Sequence, residues 1–553
     1  MKTTSLARLL VLLAGLWGLS AYAQNTYSVS TVAEINALLG TLQPGDVVVM
    51  SDGTWTNAQL QFAGTGTEEA PIVLTVQTPG GVSLEGNSSL EMNGRHLIVD
   101  GLVFQNGFTT KSSVVSFRRN GRECRSCRLT NTTIDNFSHP DSSRNDKWIS
   151  LYGVQNRVDH CRLINKTNLG STLVVWMDDV PDYHRIDHNH FDQRPKINDI
   201  TNGLESIRVG TSTWSGLASS CTIEYNLFEE CDGEIEIISN KSNDNTYRYN
   251  TFLNSSGALT LRVGNRCWIY GNYFLNTANK SQTGGIRVTG RDHYIFSNYF
   301  YQLDHGGSDL RAAISIQNAN ENPSPTDYYA ARNCFIGFNT FFNCRRSLVF
   351  GSGAQPARPI APEGMELVGN IIYDDFWFTP LIRYVDSPTT VTYTQNIVFG
   401  EALGIDSVPG LDPLDPQFIP IPEVPAYFRP SNPSLSDVYD ATGLPIQYDL
   451  QGQLRNLSAM DLGADELKAG IEESLPLAST GPVGPYTEGY WLEIECGSVG
   501  ANWVEVPSAE ASGELALSYQ GPSNTLTPPT DSAAWVSHAL RLEKAGRYHL
   551  SMR

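Results

Sequence analysis

At 553 residues the chain exceeds what one ordinary core supports unless the fold grows by stacking repeats, so two units are expected. Its 58 acidic against 38 basic residues give a formal charge of −20, which excludes nucleic acid as a partner because a phosphate backbone needs a basic face. A polyanionic sugar is not excluded, since Lys241, Arg248, Arg262, Arg266, Arg287 and Arg291 crowd one region and predict a locally basic cleft.

The chain opens with MKTTSLARLLVLLAGLWGLSAYAQ: Lys2 and Arg8, an apolar run from Leu9, then small residues before Gln24. This pattern predicts a signal peptide over residues 1–23, cleaved after Ala23, and a secreted or periplasmic protein. The apolar run is short for a bilayer and no other stretch is long enough to span one, so no membrane span is expected. From Tyr27, Ser30 or Thr31 caps a helix running from Val32 to Leu39, and the Pro44-Gly45-Asp46 turn leads into a strand over Asp46–Met50.

Beyond this helix one pattern recurs: an apolar residue, two variable ones, Asn or a small residue, one variable residue, then a large apolar one. Its fourth position falls on Gly101, Cys127, Cys161, Asn189, Asn226, Asn250, Asn272, Asn298, Asn339, Asn370 and Asn396. Steps of about two dozen residues, lengthened by insertions, match coils of a parallel β-helix; a propeller would need longer and more even repeats. Asn suits a corner because it tolerates left-handed backbone and because stacked amides form an internal ladder. Cys127 and Cys161 on that rung argue for structural cysteines, against zinc or redox use of Cys124-x-x-Cys127. An exported protein leaves some of the nine cysteines free to pair. His160, His184, His188 and His190 resemble a zinc cluster, but His188 and His190 flank Asn189 and are expected at a coil corner.

The solenoid is expected to span residues 24–466 and to be followed by a Pro/Gly/Ser/Glu-rich linker over 467–487. Alternating apolar and polar positions over 488–553 predict the start of a β-sandwich, carbohydrate-binding-module-like and truncated at Arg553; Tyr490, Trp491 and Trp503 supply either its core or faces for sugar rings.

The chemistry centres on GEIEIISNKS and TLRVG, where Glu234 and Glu236, two apart, share one strand face. Two carboxylates repel, so a bound cation relieves them. In a polyuronate the C5 proton becomes removable once the charge gathering on the C6 carboxylate is neutralised. Calcium held by Glu234 and Glu236 suits that task, with Lys241 as base and Arg262 facing the leaving oxygen. Alternating Glu on a strand is ordinarily a solvated face, and a lone Lys or Arg ordinarily a surface residue; their joint spacing argues otherwise.

ISNKS and TLRVGNR, together with NGLESIRVG at 202–210, GGIRVTGRDH at 284–293 and KWISLYG at 147–153, resemble polysaccharide lyase family six, the alginate lyases and chondroitinase B. The resemblance covers roughly residues 27–466. It implies an all-β, right-handed parallel β-helix, Lys241 as base, Arg262 as acid, calcium bound by Asn202, Glu234 and Glu236, and substrate contacts from Arg287 and Arg311. Val263 departs from the His that often follows the family's catalytic Arg, which touches a substrate contact and not the base or metal site. NTYRYNTF and GGIR lie closer to the alginate lyases, so alginate is the expected substrate. The alternatives are a chondroitinase B-like lyase on dermatan sulfate, a hydrolase on the same fold, for which no further acidic cluster is evident, and a non-catalytic polysaccharide-binding β-helix.

Overall fold

The computed structural model describes residues 25–421 and 426–467, and, as backbone strands alone, Ser498–Val499, Trp503–Pro507, Leu515–Tyr519 and Val536–Ser537. The expected signal peptide and linker lie outside the described residues. The helix Val32–Leu38 forms as its sequence predicts: Thr31 Oγ1 accepts from the Glu34 amide while the Glu34 carboxylate accepts from the Thr31 amide, a capping box, and Ile35 is buried in the core.

The following residues wind into a parallel β-helix. Three long sheets of 14, 15 and 14 strands are each built by taking one strand per coil, so sequence neighbours lie on different faces while strands one coil apart pair in register. A representative coil runs from Thr246–Arg248 on the first face to Thr251–Leu253 on the second and Ala258–Leu261 on the third. Short strands broken at every corner explain why inserted residues lengthen the steps without disturbing the stack.

In-register pairing converts the sequence repeat into physical ladders. The amide of Asn189 donates to Asn226 Oδ1, Asn226 to Asn250, Asn250 to Asn272, Asn272 to Asn298, Asn298 to Asn339, Asn339 to Asn370 and Asn370 to Asn396, all between 2.8 and 3.0 Å. The large apolar position two residues on makes a second ladder inside the core, with Phe191, Phe228, Phe252, Phe274, Phe300 and Phe341 stacked at 4.6–4.9 Å. Each ladder amide satisfies buried groups that water cannot reach. Asn272→Leu is therefore expected to strand the Asn250 amide and two carbonyls, at roughly 1–3 kcal/mol per orphaned group. Urea unfolding checks this; a loss well under 1 kcal/mol would show the ladder to be dispensable.

Three details differ from the sequence reading. The left-handed residue at the corner is the one before the ladder: His160, His188, Tyr225 and Tyr249 have φ of +49° to +52°, and their rings stack at 5.0–5.1 Å. Gly101 occupies that place, not the ladder. Cys127 belongs to a different corner, where its amide donates to Asn156 Oδ1 and the Asn156 amide donates to His184 Nδ1. Cys161 does sit on the ladder, donating to Asn189. All eight described cysteines are buried and unpaired, and burial pushes the thiols of Cys231, Cys267, Cys334 and Cys344 up to about 12.

Residues 414–421 and 426–467 add no further rung. They fold back along the corner between the first and second faces, where Phe428 stacks on Phe342 at 4.2 Å and the Ala464 amide donates to Thr340 Oγ1. Buried Arg455 fastens this strap through the Gly463 and Ala464 carbonyls and Ser297 Oγ. Among the described residues this strap does not reach the third face. In the tail, Trp503–Pro507 pairs antiparallel with Leu515–Tyr519, and Ser498–Val499 with Val536–Ser537; Tyr490 and Trp491 lie outside the described residues. No helix among the described residues is long and apolar enough to cross a membrane.

Candidate active site on the third face

Along the third face, Ile207 and Val209, Leu259 and Leu261, Ile286 and Val288, and Ile314 and Ile316 fill the core. The period of two then points Arg208, Ser239, Thr260, Arg287 and Ser315 outward in one register row. The strand Glu236–Asn240 ends immediately before Lys241, and Asn240 pairs with Leu261. Lys241 and Arg262 are therefore neighbours one coil apart, although 21 positions separate them in sequence.

Lys241 is half-buried, and no hydrogen bond or ion pair among the described residues engages its ammonium group. Arg262 is held. Its guanidinium donates to the Asp327 and Thr326 carbonyls at 2.9 and 2.8 Å, lies 3.9 Å from the centre of the Tyr328 ring, and stands 3.7 Å from Glu236. The loop that follows the strand Ile314–Gln317 thus fixes the arginine from outside the strand that carries it.

Glu236 opens its strand, accepts from Ser239 Oγ at 2.5 Å and lies 3.5 Å from Arg287, which is buried and donates to Gln317. Glu234 falls just before the strand, which shifts register between Glu236 and Ile238; the two glutamates are brought together by an irregular turn rather than by ideal strand alternation. Glu234 is buried and accepts from the Leu204 amide at 2.8 Å. Burial, with the Glu205 and Glu236 carboxylates close by, pushes its pKa up to about 8.

Glu205, passed over in the sequence, is thus the third carboxylate of the group; it is buried and accepts from Ser171 Oγ. Asn202 is exposed, on the turn that leads to Leu204. Arg311 ends a short 3-10 helix and is half-buried; burial and the nearby Arg287 lower its pKa. The buried Nε of Arg208, Nε of Arg311 and Nε2 of Gln317 have no protein partner. Three unpartnered buried donors near the third face fit an anionic, hydroxyl-rich ligand, because an unsatisfied buried donor is costly. Arg208 had a readable signal: Ile-Arg-Val recurs at 207–209 and 286–288, and its two arginines share the outward row.

The charge cost that burial, Glu205 and Glu236 place on Glu234 is one a hard divalent cation would relieve, with Asn202 on the adjoining turn, although the three carboxylates as they stand do not all converge within 4.8 Å. The histidines do not form such a site together: His160 and His188 stack at a corner, and His184 is buried, its pKa lowered to about 3. His190, Asp192 and Glu229 do converge, but on the second face and with Arg162 at 3.3 Å from Asp192.

A β-helix with a Lys–Arg pair, neighbouring carboxylates and buried arginine Nε atoms without a partner along one face is built like the β-helical polysaccharide lyases. The chain belongs to the chondroitinase B family, polysaccharide lyase family six: the family model for chondroitinase B matches residues 29–438. Among solved structures it resembles the family-six alginate lyase AlyGC, with 35% identity and a TM-score of 0.70 over 74% of this chain and 56% of that one. The chain thus spans little more than half of that relative's length. It also resembles a mannuronic-acid-specific family-six lyase from human gut microbiota, with 30% identity and a TM-score of 0.60, covering 68% of this chain and 86% of that one. A family-six alginate lyase solved with a trisaccharide matches at 25% identity and a TM-score of 0.60, over 69% and 87% of the two chains. No curated protein matches.

Proposed function

We propose that the protein is a secreted or periplasmic lyase that cleaves alginate by β-elimination at uronate residues, with calcium assistance. The observation that carries this reading is the register-adjacent pair of uncommitted Lys241 and clamped Arg262, beside the three carboxylates and the orphaned arginine donors. The leader-like residues 1–23 support export.

In this reading Arg287, Arg311 and Arg208 bind the substrate's carboxylates and hydroxyls and hold one uronate ring against Lys241. The Lys241 amine removes the C5 proton. The C5–H electron pair becomes the C4=C5 double bond as the C4–O bond breaks. The departing oxygen takes a proton from Arg262, whose two carbonyl contacts hold it in place, and water returns that proton from Lys241 to Arg262. Glu234, Glu236, Glu205 and Asn202 would hold a calcium ion, which would supply neutralisation of charge on the C6 carboxylate.

The test is a rise in ultraviolet absorbance from the unsaturated uronate on block-defined alginates; no rise on any block sinks the alginate assignment. The family model's own name favours a second reading, elimination on dermatan sulfate, which the same assay distinguishes. Charge-lined grooves that bind without absorbance change on either polymer would leave a non-catalytic β-helix.

A further inference from the structure

N-terminal to the catalytic coils, the sequence Arg118-Arg119-Asn120-Gly121-Arg122-Glu123-Cys124-Arg125 places four arginines within eight residues of an otherwise acidic chain. It forms a hairpin, Arg118–Arg119 antiparallel to Arg122–Arg125, turned at Asn120 and Gly121 with φ of +51° and +73°, as a two-residue Asn-Gly turn requires. The second strand inserts into the third face, pairing Cys124 with both Gly94 and Gly153, and Arg125 with Arg95. Glycine is needed at this junction: a Cβ on Gly153 would lie 2.1 Å from the Cys124 carbonyl oxygen.

We propose that this arginine hairpin, with Arg95 beside it, is a distal binding surface for the acidic polysaccharide, gripping uronates several sugar rings from the bond that is cut. The inference rests on the lyase reading and extends it along the polymer. Arg95, Arg122 and Arg125 are exposed, and none has a carboxylate within 4.0 Å among the described residues, whereas Arg128, Arg157, Arg185 and Arg248 are each paired with an acid. A hollow of about 350 Å³ is lined by Asn93, Arg95, Arg122, Glu123, Arg125 and Asp178. Of its two acids, Glu123 stands 4.0 Å from Arg118, and the unpartnered buried Oδ1 of Asn93 suits a sugar hydroxyl.

The hairpin is continuous with the catalytic row. The third-face register sets Arg118, Tyr152, Trp176, Gly210, Lys241 and Arg262 side by side at the strand ends. Arg118 lies 3.7 Å from the Tyr152 ring centre, and Tyr152 stacks parallel to Trp176 at 6.0 Å. Four rungs at about 4.8 Å put Arg118 roughly 19 Å from Lys241. A charged, aromatic-flanked track of that length reads a chain rather than a single sugar.

The double variant Arg122→Ala/Arg125→Ala tests this, since it spares Cys124, the glycines and every residue placed in the catalytic centre. Its KM on polymeric alginate is expected to rise about tenfold at low salt, with the difference shrinking as salt is added, while kcat and the turnover of trisaccharide stay at wild-type values. An unchanged polymer KM overturns the proposal, as does an equal loss on trisaccharide, which would make the hairpin a support of the fold. Affinity electrophoresis through alginate gels, referenced to polymer-free gels, reads binding independently of turnover: the variant must be retarded less than wild type. Equal retardation refutes the surface even if the lyase reading stands. A wild type that is retarded but catalytically silent fails the lyase reading without touching the hairpin.

Discussion

Lys241→Ala is expected to lower kcat on alginate by about 10²–10⁴-fold while leaving folding and substrate binding intact. The size follows from the role. Glu234 is engaged by the Leu204 amide and Glu236 stands beside Arg262 and Arg287, while the neighbours of Lys241 on its row are Gly210 and the cation Arg262, which leaves Lys241 as the base on that row. The harmlessness to the fold follows from the structure. Lys241 carries its side chain out of the strand end, with its backbone amide bonded to the Val209 carbonyl, a bond alanine keeps. Thermal unfolding of the variant should match wild type within the usual scatter of a surface substitution, about 0.5 kcal/mol. A purified, folded variant retaining more than about a hundredth of the wild-type rate would remove Lys241 from the role of base. Arg262→Lys offers a contrast, because it keeps the charge and loses the planar fork that grips the Thr326 and Asp327 carbonyls; kcat should fall while KM moves little.

The β-helix was legible because a parallel, in-register stack writes the same residue at the same corner once per coil. Asn189 through Asn396 and the phenylalanines two positions on announce both the coil length and the buried ladders. Cys127 was misplaced because a Cys-x-apolar pattern also fits the corner one strand earlier, where Asn and His side chains accept from the backbone amides of Cys127, Asn156, Cys221 and Cys267 one coil before. Lys241, Arg262 and the two glutamates stood out because a single stretch carries them. Glu205 and the Tyr328 loop did not, because only coil stacking brings them to the site from 29 residues before Glu234 and 66 residues after Arg262. The strap over 414–467 has no repeat to betray it. Its cohesion comes from the buried Arg455 and from aromatic contacts with coils more than 80 residues away.

Removing divalent cations is expected to abolish turnover, with calcium restoring it and magnesium doing so poorly, because magnesium demands a tighter octahedral shell than these carboxylates and a turn amide offer. The physical ground is the unfavourable charge on Glu234. Its pKa of about 8 in the fold, against an ordinary value of 4.5, means that the metal-free protein keeps this carboxyl protonated up to about pH 8, because burial, Glu205 and Glu236 all oppose its ionisation. The sign of the linkage follows. The folded state holds this proton more tightly than the unfolded chain, so metal-free stability is greatest below about pH 4.5 and falls as pH rises toward 8, by on the order of a few kcal/mol. Chelated wild type should therefore melt at a lower temperature at pH 8 than at pH 6, and calcium should close the gap by pairing the carboxylates. Glu234→Gln removes the titrating group. In chelator it should melt higher than wild type at pH 8 and lose the dependence between pH 6 and 8, yet gain little from added calcium and turn over substrate poorly. Melting curves that are flat in pH for metal-free wild type, or a Glu234→Gln variant that calcium stabilises as strongly as wild type, would take Glu234 out of the cation site and leave Arg287 and Arg208 to neutralise the substrate carboxylate unaided.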